Sequence, residues 1–208
     1  MISNLKKMIQ ALCIIGMMVF VSNCNSRSNS PNVNEPAPNF SLTDSNGESV
    51  ELYNFKGRPI ILEWTNHLCP FVEKHYNANN MQSLQNKYAE QGVTWLTIIS
   101  SAQGKQGYVT GEQANELTSS RNAAPKHVLL DPEGKVGRLY GAETTPHMYI
   151  IDRSGKLVYK GAIDSVRSTD VADIEKAVNY VDQVMDELEA GKPVSVQETK
   201  AYGCSVKY

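Results

Sequence analysis

The sequence predicts an α/β fold: a central mixed sheet flanked by helices, with a strand or hairpin extension at its N-terminal side. Three observations carry that expectation. From about residue 36, apolar β-rich runs alternate with helical patterns in the order β, α, β, α, β, α, β, β, α behind one leading strand. The run Ile60-Ile61-Leu62-Glu63-Trp64 suits a buried strand and leads through Thr65-Asn66-His67 into a helix opened by Pro70. Near the other end, two apolar strands around a glycine turn precede an amphipathic pattern closed by Gly191.

The elements follow in chain order. Residues 1–24 read as an export signal, with Lys6 and Lys7 ahead of an apolar run from Ile9 to Val21 that is shorter than a membrane span. Val21-Ser22-Asn23-Cys24 resembles a bacterial lipobox, which implies lipidation at Cys24 and a membrane anchor in the bacterial cell envelope. Ordinary cleavage nearby or an uncleaved anchor are the alternatives. Residues 25–35 form a polar tether, residues 36–191 the domain, and residues 192–208 a C-terminal tail. Within the domain, Asn46-Gly47 between alternating apolar residues signals a hairpin. After Pro70 the pattern breaks at Asn77-Ala78-Asn79-Asn80, predicting one short helix, then a second from Met81 to Gln91 capped by Gly92. Residues 93–100 predict a strand, 112–122 a helix, 127–131 a strand and 137–142 a short helix. Thr144 to Asp152 and Lys156 to Gly161, around Arg153-Ser154-Gly155, predict a hairpin, and Asp170 to Ala190 a long amphipathic helix with Ile174, Ala177, Val178, Val181, Val184, Met185 and Leu188 on its apolar face.

Composition narrows the function. With 20 Lys and Arg against 22 Asp and Glu, the net charge is −2, so there is no basic field for nucleic acid. The four cysteines, Cys13, Cys24, Cys69 and Cys204, are too few for a disulfide scaffold. Cys69 stands at or just before a helix N-terminus, where unpaired N–H groups and the helix dipole favour a thiolate. A buried structural cysteine is the alternative there. His67, His75 and His147 could join Cys69 in a soft metal site, but the ligand set is incomplete by spacing, so no metal or cofactor is expected.

Several motifs resemble the thioredoxin-like superfamily in its redoxin and peroxiredoxin branch. They are Pro38-x-Phe40-x-Leu42 followed by Asp44-x-x-Gly47, the strand from Phe55 to Trp64, Cys69-Pro70, and Thr144-Thr145-Pro146 opening an apolar strand. The resemblance covers about Pro36 to Gly191 and implies a thioredoxin-like fold and a thiol-dependent oxidoreductase with Cys69 as nucleophile. It implies that Thr145-Pro146 is a cis-proline loop facing Cys69, so that Thr145, Pro146, Pro70 and Trp64 shape the substrate groove. It further implies that Glu63, six residues before Cys69, moves protons during exchange. An edge-exposed Glu63 is the alternative. Asn66, three before Cys69, stands where peroxiredoxins place Thr or Ser, and its amide could donate to a peroxide. The peroxiredoxin arginine is missing at Pro146, and Arg138 is the candidate substitute. Val72 stands three after Cys69, so there is no Cys-x-x-Cys. Cys204 is then the candidate resolving thiol, a static bridge partner, or idle. The substrate is a peroxide or a disulfide, with a thiol protein as reductant. A metal-binding or chaperone-like module is the non-enzymatic alternative.

Overall fold

A computed structural model describes residues 30–208. The leader, Cys24 and the first part of the tether lie outside the described residues. The chain opens with β1 (Ser41–Asp44) and β2 (Ser49–Glu51), paired antiparallel with Leu42 opposite Val50. The turn between them is closed by the Asp44 carboxylate, which accepts the N–H groups of Asn46 and Glu48 at 2.9 Å each. After a 3-10 turn come β3 (Ile60–Trp64), α1 (Pro70–Asn77), α2 (Asn80–Glu90), β4 (Thr94–Ile99), α3 (Gly111–Ser120) and β5 (His127–Leu130). The second half holds α4 (Lys135–Tyr140), β6 (Thr144–Thr145), β7 (His147–Ile151), β8 (Leu157–Gly161), α5 (Tyr180–Glu189) and β9 (Cys204–Ser205).

Seven strands form one mixed sheet in the order β2-β1-β5-β4-β3-β7-β8. β3 lies inside it, parallel to β4 and antiparallel to β7. Because side chains alternate along a strand, β3 feeds both layers of core. Ile61 packs with Val72, Tyr76, Met81, Leu84 and Val184 of the helices on one face, whereas Ile60, Leu62 and Trp64 pack with Val136 and Tyr140 on the other. Cys69 belongs to the first layer. The expected α/β architecture with a leading hairpin is therefore present, and so is the predicted break between α1 and α2, where Asn79 takes a left-handed conformation (φ 56°).

Three expectations need correction. The long helix over 170–190 is instead a 3-10 turn at Val171–Asp173 followed, after a loop, by α5. Asn179 starts α5 by accepting the N–H groups of Val181 and Asp182 at 3.0 and 3.1 Å, and Ser165 pairs with the backbone of Val178, folding the preceding segment into a loop. Val178, expected on the buried face, is thus 51% exposed. Second, the described part of the tether is docked rather than free. Pro31 is buried, Asn34 N–H donates to the Leu157 carbonyl at 2.7 Å, and Leu157 N–H donates to Glu35 at 2.9 Å. Third, the tail from 192 to 208 is part of the folded body, as its contacts below establish.

Candidate active site

Cys69 occupies the N-cap position of α1 in an extended conformation, with Pro70 beginning the helix. The loop before it is shaped by Asn66, whose carbonyl accepts the Cys69 N–H at 3.0 Å and whose side-chain oxygen accepts the Leu68 N–H at 3.0 Å. The Asn66 amide nitrogen points away to the Gln106 carbonyl at 3.5 Å. Gly107 lies against this amide so closely that a Cβ there would meet it at 2.5 Å. Asn66 therefore holds the loop, with its amide turned to the Gln106 carbonyl.

The Cys69 thiol donates to the Thr145 carbonyl at 3.1 Å, and the Thr145–Pro146 peptide is cis. The C-terminal tail closes the other side. β9 runs antiparallel to β6, with Cys204 opposite Thr145 and Ser205 opposite Thr144. The Cys204 N–H points at the Cys69 sulfur at 3.4 Å, and the Cys204 thiol lies within hydrogen-bond reach of the same atom. Both thiols are free, with Cys69 fully buried and Cys204 partly exposed. Gly203 makes this approach possible: its φ of 141° suits glycine, and a Cβ would collide with the Thr145 carbonyl oxygen.

The tail is fastened on both sides of Cys204. Upstream, the buried Tyr202 hydroxyl donates to the Asp164 carboxylate, and its ring meets Phe71 edge-on at 5.7 Å. Asp164 is held in turn by Lys74 at 3.3 Å, fully buried on α1, with His75 3.7 Å away. Downstream, Val206 N–H donates to the Glu143 carbonyl at 3.0 Å and the Lys207 carbonyl accepts from Ala102 at 2.8 Å. Tyr208 then donates to the Ala142 carbonyl at 2.6 Å beneath the Arg138 guanidinium.

Electrostatics divides the two sulfurs. Burial pushes the Cys69 thiol up, but hydrogen bonding with the Cys204 thiol and N–H, with smaller contributions from the neighbouring Thr145 and Val72, outweighs it, and the group is held below the ordinary thiol value. Burial and the adjacent Cys69 sulfur push Cys204 up to about 11. Of the two sulfurs, Cys69 is therefore the more readily ionised.

Glu63 is fully buried, not at an edge. Its carboxylate receives the Tyr76 hydroxyl and Trp95 indole at 2.9 Å, Thr97 at 3.0 Å and Gln85 at 3.4 Å. Burial lifts its pKa above the usual carboxyl range, and these donors recover only part of the shift. It shares with Ile61 the sheet face on which α1 lies, since residues two apart on a strand share a face.

Of the residues expected at the site, Cys69, Cys204, Pro70, Thr145 and Pro146 converge. Trp64 does not. It is fully buried on the opposite sheet face, with its indole N–H on Ser100 at 3.0 Å, and it packs against Tyr140 and Tyr149. The reason is strand alternation, which turns Trp64 away from the face that Glu63 shares with α1. Arg138 does not reach the sulfur either, because it is committed to the Glu133 carbonyl at 2.6 Å and to Tyr208. The histidines are dispersed: His75 faces Asp164 and Asn80, and His147 lies against Tyr149. Among the described residues no three His, Cys, Asp or Glu side chains gather as a metal site. Sequence reasoning missed the Lys74–Asp164–Tyr202 cluster and the pairing of β9 with β6. Tyr202-Gly203-Cys204, an aromatic and a glycine beside the last cysteine, was the only local signal of either.

A family model described as Redoxin matches residues 32–178. Among curated proteins, the chain is 27% identical over 139 residues to a protein of Bacillus cereus named thiol-disulfide oxidoreductase ResA, covering 64% of this chain and 71% of that one. Among solved structures, an uncharacterised conserved protein from Geobacillus kaustophilus superposes with a TM-score of 0.72 at 27% identity, over 85% of this chain and 92% of that one. A hypothetical protein from Sinorhizobium meliloti gives 0.71 at 26%, over 87% and 97%. The architecture is thioredoxin-like.

Proposed function

Because this chain belongs to the Redoxin family, we propose that it is a thiol–disulfide oxidoreductase whose working pair is Cys69 and Cys204. The observation that carries this reading is the pair itself: the tail brings the Cys204 N–H within 3.4 Å of the Cys69 sulfur and its thiol within hydrogen-bond reach. Val72 stands where a Cys-x-x-Cys site would have its second cysteine. The tail supplies the second thiol from 135 positions away. The name of the Bacillus relative, thiol-disulfide oxidoreductase, points the same way.

The chemistry follows from the environment. Exchange needs a thiolate to attack and a leaving sulfur that can carry charge. Cys69 is held towards the thiolate by the α1 N-terminus and by Cys204, the neighbour with which it would form a disulfide. Glu63 serves the proton that must come and go, being buried, hydrogen-bonded and raised in pKa on the face that carries α1. Thr145, Pro146 and Pro70 shape the approach to the sulfurs. The substrate is a disulfide or dithiol of a partner protein. A separate thiol reductant or disulfide oxidant restores the starting state. The leader read in residues 1–24, with a lipid on Cys24, would hold this activity at the outside of a bacterial membrane, where a disulfide persists.

Peroxide reduction draws less support. Cys69 is shielded from solvent, the Asn66 amide serves the loop, and Arg138 is engaged elsewhere. Two assays on the same protein separate these chemistries. Reduction of insulin disulfides that requires both Cys69 and Cys204, with peroxide oxidation no faster than for a free thiol, is the expected result. Rapid peroxide consumption by Cys69 with no disulfide reduction would reject the exchange reading.

A further inference from the structure

If Cys69 and Cys204 are the working pair, one of them must meet the partner. The structure places them at different depths. Cys69 has no exposed surface and belongs to a core layer with Val72, Tyr76 and Met148. Cys204 is partly exposed, on a short strand at the surface. A thiolate that opens a disulfide approaches in line, from the side opposite the sulfur that leaves. Attack on Cys69 would have to arrive through the packed core beneath α1. Attack on Cys204 arrives from the exposed side and pushes electrons inward, onto Cys69.

We propose that the partner's thiolate attacks Cys204, so that the mixed disulfide is carried on the C-terminal tail while Cys69 is the buried leaving and resolving sulfur. This rests on the exchange reading above and reverses the roles the sequence suggests, in which Cys69 meets the substrate. In the first step the partner sulfur forms a bond to the Cys204 sulfur, the Cys204–Cys69 bond breaks, and its electron pair leaves on Cys69. That thiolate departs into a prepared place at the start of α1, receiving the Cys204 N–H. In the second step the partner's other thiolate attacks its own sulfur in the mixed disulfide and releases Cys204, which takes a proton. One dithiol is oxidised to a disulfide and one disulfide is reduced, leaving a Cys69 thiolate, a Cys204 thiol and one proton in solvent. In the opposite direction the same path runs backwards. Cys204 first loses its proton and attacks the partner's disulfide, one partner sulfur leaving as thiolate, and the Cys69 thiolate then attacks the Cys204 sulfur and expels the partner's remaining sulfur.

Three contacts serve this arrangement. Tyr202 on Asp164 and the Val206 N–H on Glu143 hold Cys204 in place from both sides, so losing the Cys69 bond does not set the tail free. Lys207 lies near enough to lower the Cys204 pKa, and its cation would favour an incoming thiolate at that sulfur over a distant one.

The test uses the unmodified protein. It is oxidised, and the loss of two hydrogens and a linked Cys69–Cys204 peptide are verified by mass spectrometry. Glutathione is then added, the reaction is stopped with acid after short intervals, free thiols are alkylated, and the adducts are located by peptide mapping. Glutathione on Cys204 with alkylated Cys69, in excess over the reverse by about tenfold or more, is expected, since access decides which sulfur is attacked. Equal or greater glutathionylation of Cys69 overturns the proposal. If no Cys69–Cys204 link forms on oxidation, the exchange reading itself fails and this proposal falls with it. The first measurement thus tells the two failures apart.

Discussion

Burial alone would make Cys69 a weak acid, and its neighbours reverse that effect. The Cys204 thiol is prominent among the groups that hold the Cys69 charge, so Cys204→Ala should raise the Cys69 pKa. Titration of thiolate absorbance in the ultraviolet would read this shift. An unchanged or lower value would mean that the helix terminus suffices without the tail. Glu63 works in the other direction. Its folded pKa is raised, so its contribution to stability is fully present below the unfolded carboxyl pKa and is lost as pH rises through the folded value. Wild type should therefore lose stability relative to Glu63→Gln as the buffer is taken from pH 4 to pH 8. Urea unfolding at several pH values gives the difference, and a constant difference would mean that folding leaves the Glu63 pKa unshifted.

At the scale of elements, the C-terminal tail decides access to the sulfur. Gly203→Ala places a Cβ against the Thr145 carbonyl at a backbone angle suited to glycine. It should lift β9 from β6 and open Cys69 to alkylation. Tyr202→Phe is the milder change. It removes a hydrogen bond to a charged group, worth roughly 1.5–3 kcal/mol, so the open fraction should rise by about tenfold or more. Labelling of Cys69 by iodoacetamide under native conditions measures both, with circular dichroism to confirm the fold. If Cys69 reacts no faster in either variant, the tail is not what covers it. α5 shows the same dependence on local contacts: its first residue is set by the Asn179 cap, and the apolar pattern upstream does not extend it.

Across the whole molecule, one buried charge cluster joins the cysteine helix, the loop after β8 and the tail. Lys74 and His75 come from α1, Asp164 from the loop and Tyr202 from the tail. Truncating Asp164 to Ala leaves Lys74 buried without its partner, which should cost about 3–5 kcal/mol. Burial holds the His75 pKa down to about 4. A lowered histidine contributes stability that is complete above the unfolded value near 6.5 and is lost as pH falls towards 4. Thermal unfolding should show this loss in wild type and a shallower one in His75→Gln. Equal slopes would place the acid sensitivity elsewhere.

What could be read from the chain alone was whatever depends on neighbours in sequence. Ile60 to Trp64 is a strand because of its own composition, Pro70 opens a helix because of its missing N–H, and Asn46-Gly47 turns because of its backbone freedom. Cys69 at a helix start therefore stood out as a thiol with a task. Tertiary structure alone decided which distant groups surround that thiol. It buried Glu63 among Tyr76, Gln85, Trp95 and Thr97, and it turned Trp64 to the far side of the sheet. It also folded residues 192–208 back so that Cys204 meets Cys69. The physical reason is that helix caps and turns are settled within a few residues, whereas a strand pairing or a buried ion cluster between distant segments is settled by long-range packing. Hydrophobic periodicity carries no record of which distant segments meet.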